Sequence, residues 1–175
     1  MTIRCLIASM LLFLVVSGCA IESRQLQALR QLFSESEVDL SLHLWELEFA
    51  GYSALVNAVV AEGKTFFVNE SSDLVEFNGW VITQARGLRR FQKPWEIFDD
   101  GKDRYYRSAG QVKAVHVCEP WINEKDDKFT RFLQSCTGEQ GYTNTILVDS
   151  LGRITGIKQV IDDSSNILSL RRREE

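Results

Sequence analysis

The chain has 175 residues, 45% of them hydrophobic, and its 20 basic and 24 acidic side chains give a net charge of −4 at pH 7. This length is enough for one domain with a hydrophobic core and too short to suggest two. The mildly acidic balance argues against nucleic-acid binding, which is typical of proteins with a basic patch.

The N-terminal residues have the pattern of an export signal. One basic residue, Arg4, precedes an uncharged apolar stretch from Leu6 to Val16, and Val16-Ser17-Gly18-Cys19 follows. The stretch is shorter than the roughly 20 apolar residues that a membrane-spanning helix needs, and the whole pattern is typical of a secretory signal peptide. Val-Ser-Gly-Cys also resembles the lipobox of bacterial lipoproteins. The resemblance implies cleavage before Cys19, diacylglycerol on its thiol and an acyl chain such as palmitate on the new amino group.

A lipid anchor at Cys19 defines the expected location and the expected domain organisation. Ala20, rather than Asp, follows the cysteine, and by resemblance to lipoprotein sorting in Gram-negative bacteria this implies the outer membrane, on its periplasmic face. An ordinary secreted protein with an unmodified Cys19 is the alternative. The predicted segments are a lipoprotein signal peptide (1–18), a lipidated N-terminus with a helical tether (19–36), a β domain (37–168) and a charged C-terminal tail (169–175).

The cysteines agree with an oxidising compartment. Cys5 leaves with the signal and Cys19 carries lipid, so Cys118 and Cys136 remain as a pair. In the periplasm such a pair is predicted to form a disulfide, which stabilises the fold by about 3 kcal/mol in the chain-entropy model. Two free buried thiols are the alternative. A metal site needs more ligands than the neighbouring His116, so we expect no metal.

The first predicted elements are a helix and then strands. Leucines at three- and four-residue spacing predict a short helix within Ile21–Phe33. Alternation through Leu40, Leu42 and Leu44 indicates a strand, with a bulge or break near Trp45 where the phase changes.

Three pairs of apolar runs predict β-hairpins. Leu55–Ala61 and Thr65–Val68 flank Glu62-Gly63-Lys64. Leu74–Phe77 and Trp80–Thr83 flank Asn78-Gly79, the strongest short hairpin signal. A third hairpin joins 144–148 to 153–161 through the turn 149–152.

The middle of the chain is less regular. Pro94 predicts that Phe91–Trp95 is not a central strand, since proline has no ladder donor. Residues 104–107, 111–118 and 129–135 look extended, whereas Asn123–Lys128 is predicted to be a polar turn. We therefore expect a mainly β fold: an antiparallel curved sheet or partly open β-barrel-like single domain with a short N-terminal helix.

Catalytic patterns are weak. His43 and His116 are the only imidazole bases, and no nucleophile elbow or phosphate-binding glycine loop accompanies them. The acidic pairs Glu46 with Glu48 and Asp99 with Asp100 lie in charged or turn-like contexts. We expect no enzyme and no cofactor, with a polysaccharide-modifying hydrolase as the remaining catalytic alternative.

Aromatic side chains near turns are the candidate contacts for a ligand or partner. Trp80 follows the Asn-Gly turn, Trp95 and Trp121 each follow a proline, and Arg104 and Tyr105 lie beside a charged turn. Aromatic residues in β domains are more often core residues, which is the alternative for each of them.

Two segments carry a family resemblance. Leu74-Val75-Glu76-Phe77-Asn78-Gly79-Trp80-Val81-Ile82-Thr83-Gln84-Ala85-Arg86-Gly87-Leu88, and Asn144–Asp149 with Gly152-Arg153-Ile154 and Gln159, resemble the group 4 capsule and exopolysaccharide lipoprotein family. The chain departs from the family pattern at Ile146-Leu147, where an aromatic pair is usual, and at Trp80, where a basic residue is common.

The resemblance implies a largely β domain at the outer membrane that assists production or export of capsule or exopolysaccharide. Its partners would be the membrane, reached through the lipid anchor, the polymer itself and proteins of the export machinery. A lipid carrier with a half-open apolar barrel is the alternative function, because a curved sheet can cover an acyl chain with its concave face.

Overall fold

The computed structural model describes residues 44–89, 91–100, 102–138 and 141–173, apart from the side chain of Gln92. The predicted signal peptide, lipidated Cys19, helical tether, His43 and the alternation from Leu40 to Leu42 lie outside these residues. The described chain contains 13 strands: β1 (Leu44–Phe49), β2 (Tyr52–Ala61), β3 (Lys64–Val68), β4 (Leu74–Phe77), β5 (Ile82–Gly87), β6 (Phe91–Asp99), β7 (Asp103–Ser108), β8 (Gln111–Val117), β9 (Ile122–Lys125), β10 (Phe129–Cys136), β11 (Tyr142–Asp149), β12 (Ile154–Val160) and β13 (Ile167–Arg172). No helix within the described ranges is long and apolar enough to cross a membrane.

All the strands belong to one antiparallel sheet. Its order is β8-β7-β6-β5-β4-β3-β2-β1-β13-β12-β11-β10-β9, so nearly every strand pairs with its neighbours in the chain. The exception is the pairing of β1 with β13, which joins the first half of the sheet to the second. The prediction of a mainly β, antiparallel, barrel-like fold is confirmed as a half-barrel.

The central strands alternate buried and accessible side chains, as a sheet with one covered face requires. In β1 the side chains of Trp45, Leu47 and Phe49 are buried, and the neighbouring strand β13 buries Leu168 and Leu170. The predicted charged tail at 169–175 is therefore wrong for residues up to 172. The run of arginines hid a strand whose alternate leucines face the core.

The two halves of the sheet curl until their concave faces meet. Ile82 of β5 hydrogen-bonds Gln159 of β12, and Tyr106 of β7 hydrogen-bonds Tyr142 of β11, although these strands are far apart in the sheet. Buried apolar side chains from both halves form one core cluster.

The three predicted hairpins are confirmed, with one change in detail. Glu62 and Gly63 join β2 to β3 with φ angles of 52° and 74°, as a two-residue hairpin turn requires. The loop from β4 to β5 is longer than a two-residue Asn-Gly turn: it runs from Asn78 to Val81, and the register shifts beside it. This longer loop carries Trp80 away from the strand ladder.

The prediction that Phe91–Trp95 is not a central strand is wrong. Strand β6 contains Pro94 and lies between β5 and β7. The register between β5 and β6 explains how the sheet accommodates Pro94. Gly87 pairs with Phe91 while Ala85 pairs with Trp95, so β6 has two more residues than β5 across this interval. Proline is tolerated at such a bulge, where no ladder bond is required of its nitrogen.

The two ends of the sheet come together at a seam between β8 and β10. Cys118 follows β8 and forms an isolated antiparallel bridge with Cys136, and the chain then continues into β9, which pairs with β10. The predicted polar turn Asn123–Lys128 is therefore partly wrong, since Ile122–Lys125 is a strand and only the residues after it turn. The short β9 was missed because all of its side chains are exposed.

Candidate functional site

The loop between β4 and β5 presents Trp80 at the surface. The Oδ1 atom of Asn78 accepts hydrogen bonds from the backbone amides of Trp80 at 3.0 Å and Val81 at 2.8 Å. The amide of Asn78 donates to the carbonyl of Val81 at 3.0 Å, which closes the loop. Trp80 keeps 47% of its surface exposed. The loop therefore holds a large side chain partly open to solvent.

Gln159 of β12 fastens this loop to the opposite half of the sheet. Its Nε2 atom donates to the carbonyl of Trp80 at 2.7 Å, and its Oε1 atom accepts from the amide of Ile82 at 2.9 Å. Gln159 is only 1% exposed. A buried side-chain amide that satisfies both partners stabilises one geometry and is expensive to break. The position of Trp80 is therefore set by a residue 79 positions later in the chain.

The Trp80 ring packs against two further aromatic rings, those of Trp121 and Phe132. Its ring centroid lies 5.7 Å from that of Trp121 and 5.3 Å from that of Phe132, with interplanar angles of 47° and 87°. Trp121 and Phe132 are partly buried against the core. We call Trp80, Trp121 and Phe132 the aromatic platform. Its rings offer apolar faces, while the indole N–H groups can serve polar ligand atoms, a combination suited to the C–H face and hydroxyl groups of a sugar.

The structure separates the other aromatic candidates from the platform. Trp95 lies in β6 and packs against Phe91 and the core. Tyr105 lies in β7 and stacks on Phe98, with ring centroids 4.9 Å apart, and its hydroxyl donates to Asp100 at 2.9 Å. Of the predicted contact residues, only Trp80 and Trp121 come together. Phe132 was missed because it sits within an apolar strand pattern, where nothing local indicates that a loop will cover it.

Arg104 is not a surface residue, so its prediction as an exposed contact is wrong. The residue is 0% exposed, and its Nε and Nη2 atoms donate to the two carboxylate oxygens of Asp99 at 2.7 and 2.9 Å. This paired geometry is the arrangement in which a buried guanidinium is tolerated. Its Nη1 atom is buried without a hydrogen-bond partner in the described structure.

Beside Arg104, a chain of hydrogen bonds crosses from β7 to β11 and back to β8. The hydroxyl oxygens of Tyr106 and Tyr142 are 2.7 Å apart, and the Tyr142 hydroxyl lies 2.9 Å from Nδ1 of His116. Either hydroxyl can be the donor in the hydrogen bond between Tyr106 and Tyr142. When the neutral imidazole carries its proton on Nε2, Nδ1 of His116 accepts from the Tyr142 hydroxyl.

The ionisation states in this chain follow from burial. Burial raises the pKa of the Tyr106 hydroxyl and of the Tyr142 hydroxyl, so both remain protonated at neutral pH. Burial, and then the positive charge of Arg104, lower the pKa of His116. Neutral His116 is the form that accepts from Tyr142. Among the described residues, no group of three or more His, Cys, Asp or Glu side chains is placed to hold a metal ion.

The predicted disulfide is confirmed and lies next to this polar chain. Cys118 and Cys136 are joined, with Cα atoms 4.1 Å apart. The amide of Thr137 donates to the carbonyl of Val117 at 2.8 Å, and the amide of Glu119 donates to the carbonyl of Ser135 at 2.9 Å. The disulfide and these two hydrogen bonds therefore close the seam where the chain leaves β8 and approaches Trp121.

Comparison with known proteins bears on the fold. No protein-family model matches the chain, and no curated protein matches it. The structure is similar to the crystal structure of the hypothetical lipoprotein YmcC from Escherichia coli K12, with a TM-score of 0.56 and 10% sequence identity over 85% of this chain and 95% of that one. The likeness shows that the half-barrel fold occurs in a protein described as a lipoprotein.

Proposed function

We propose that this chain is a non-enzymatic outer-membrane lipoprotein that assists production or export of capsule or exopolysaccharide by binding the polymer at the aromatic platform. The lipobox-like Val16-Ser17-Gly18-Cys19 and the likeness in fold to a hypothetical lipoprotein support the anchor. The two segments that resemble the capsule and exopolysaccharide lipoprotein family support the process. The alternative contact is a protein of the export machinery at the same surface.

The observation that carries the proposal is the meeting of Trp80 and Trp121. Trp80 lies in the loop between β4 and β5, and Trp121 lies 41 positions later in the segment that enters β9, yet their rings are 5.7 Å apart. Trp80 remains 47% exposed. Folding alone gains little from leaving half of a tryptophan in water, whereas a sugar ring packed on that face would bury it.

Anchoring would make a weak sugar contact effective. Acyl chains on Cys19 each add about 0.8 kcal/mol per buried methylene, and more than one chain is needed for firm attachment. A protein confined to the membrane layer meets a polymer that passes through the same layer at raised effective concentration. Low affinity for each sugar unit is then compatible with function and with release of the polymer during export.

The test is quantitative measurement of surface polysaccharide in a deletion strain. The strain is complemented with wild type, with Cys19→Ala, with the double variant Trp80→Ala/Trp121→Ala, and with Tyr105→Ala as a control on the opposite face of the sheet. We expect surface polymer to fall in the deletion strain and to be restored by wild type and by Tyr105→Ala only. Unchanged polymer in the deletion strain would refute the export role. Full restoration by the double tryptophan variant would refute the platform as its site.

A further inference from the structure

We infer that the aromatic platform extends along one face of β9 and takes an acidic polysaccharide, whose carboxylate lies against Lys125. This inference rests on the proposed function, because it names the class of polymer that the same site binds. It is carried by the register of β9 with β10 and by the charges on the two faces of this strand pair.

The register places Asn123 and Lys125 on the face of the platform. Asn123 lies opposite Phe132, and Lys125 lies opposite Thr130. Side chains of directly opposed residues in an antiparallel pair project from the same face of the sheet. The Phe132 ring contacts Trp80, so the amide of Asn123 and the ammonium of Lys125 belong to the same surface. Both residues are exposed.

The opposite face of the same strands is already neutralised. Glu124 and Arg131 are directly opposed, and an oxygen of Glu124 lies 3.6 Å from Nη1 of Arg131. No carboxylate within the described ranges forms an ion pair with Lys125. The platform face of β9 thus presents, beside the aromatic rings, an amide and an ammonium group that has no ion-pair partner among the described residues.

The dimensions suit a polymer segment. Strand residues advance by about 3.3 Å each, so Trp121 and Lys125 are separated by roughly 13 Å along the strand. This distance exceeds the width of a single sugar ring. One unit can stack on the platform while a neighbouring unit reaches Asn123 and Lys125.

Because the whole chain is negatively charged, the local positive charge of Lys125 matters for binding an anionic polymer. With 24 acidic and 20 basic residues, the protein repels an anionic polymer at long range. Binding of an acidic sugar therefore needs a local positive group, whereas a neutral sugar would be served by the rings and the Asn123 amide alone. An exposed ammonium–carboxylate contact is worth at most about fivefold in affinity and weakens with added salt.

The experiment uses the full-length lipidated protein in detergent and the surface polysaccharide purified from the strain that makes it. The polymer is used in its native form and after chemical reduction of its carboxylates to alcohols, and affinity is measured by tryptophan fluorescence at low and high salt. The variants are Trp80→Ala, Lys125→Gln and Lys113→Gln, the last being a matched control on exposed β8. Circular dichroism verifies the fold of each variant.

Three results are expected. Wild type binds native polymer two- to fivefold more tightly than reduced polymer at low salt, and the difference shrinks at high salt. Lys125→Gln removes this difference and leaves affinity for the reduced polymer unchanged, while Lys113→Gln changes neither. Trp80→Ala weakens binding of both polymers.

The unfavourable outcomes separate the two proposals. Equal affinity for native and reduced polymer, a purified polymer that carries no acidic group, or equal effects of Lys125→Gln and Lys113→Gln would each overturn the acidic-polymer inference. If Trp80→Ala still weakens binding in those cases, the proposed function stands. If wild type binds neither form of the polymer, the proposed function and this inference fail together.

Discussion

Replacing Gln159 with leucine tests whether one buried amide holds the Trp80 loop. In Gln159→Leu the amide of Ile82, a residue only 1% exposed, loses its acceptor, and the carbonyl of Trp80 loses its donor. An unpaired buried amide costs about 1–3 kcal/mol and a lost ordinary hydrogen bond about 1 kcal/mol, while the greater apolarity of leucine offsets part of this. We expect a net loss of about 2 kcal/mol, which corresponds to a fall in Tm of roughly 4–8 °C for a domain of this size.

The measurement is urea unfolding followed by circular dichroism, with Gln111→Leu on the exposed strand β8 as the matched control. The control should stay within about 0.5 kcal/mol of wild type, as surface substitutions usually do. The reasoning is refuted if Gln159→Leu also stays within that range.

The variant Gln159→Glu provides a second, independent test of the hydrogen bond between Gln159 and the Trp80 carbonyl. At neutral pH its carboxylate would be buried and would face the Trp80 carbonyl oxygen where the Nε2 donor now lies 2.7 Å away. Burial raises the pKa of such a carboxyl above its unfolded value. The contribution of the side chain to stability is therefore present at low pH, where the protonated acid can donate, and is lost as pH rises through the raised pKa. Relative to wild type at each pH, Gln159→Glu should be more destabilised at pH 7.5 than at pH 5. An equal deficit at both values would contradict the assigned donor.

Three further predictions concern the seam and the last strand. Replacing Cys118 and Cys136 with serine should lower the free energy of unfolding by about 3 kcal/mol, measured by urea unfolding of wild type and variant without reductant, and an equal stability would contradict a disulfide that stabilises the seam. The pKa of His116 is lowered in the fold, so its contribution to stability is complete above its unfolded pKa of about 6.5 and is lost as pH falls towards the folded value. His116→Asn, whose Oδ1 can accept from Tyr142 in place of Nδ1, should flatten the loss of Tm between pH 7.5 and pH 5, and an unchanged slope would assign that loss to other groups. Leu170→Ala should cost about 2–5 kcal/mol by urea unfolding because Leu170 is buried in β13, whereas a cost below about 0.5 kcal/mol would suit an exposed tail.

Local sequence signals predicted the hairpins. The strand pairing and the last strand that these signals missed depend on contacts between residues distant in sequence. Glu62-Gly63 has a turn signature that depends only on adjacent residues. The pairing of β1 with β13 depends on two segments more than 100 residues apart, and alternation shows which face of a strand is buried without naming its partner. The last strand was also masked by Arg171, one of three consecutive arginines, which lies on the exposed face and bonds Glu46 at 2.6 Å.

The same distinction applies to the candidate site. Trp80 and Trp121 were predicted separately from their places beside a turn and a proline, but their contact depends on how far the sheet curls. Arg104 looked like a surface residue because a charged turn precedes it, and only the paired geometry with Asp99 explains its burial. Gln159 was noted as part of a family pattern, whereas its two hydrogen bonds to the Trp80 loop are evident only from the structure.

Long-range links hold the aromatic platform in place from both sides. Gln159 fixes the loop of Trp80 from one half of the sheet. The disulfide at Cys118 fixes the start of the segment that carries Trp121 only three positions later. Rings held in place before a ligand arrives lose less conformational freedom on binding, so more of the contact energy becomes affinity. We therefore expect Gln159→Leu to weaken polymer binding even though it removes no aromatic ring, an effect that a merely exposed tryptophan would not show.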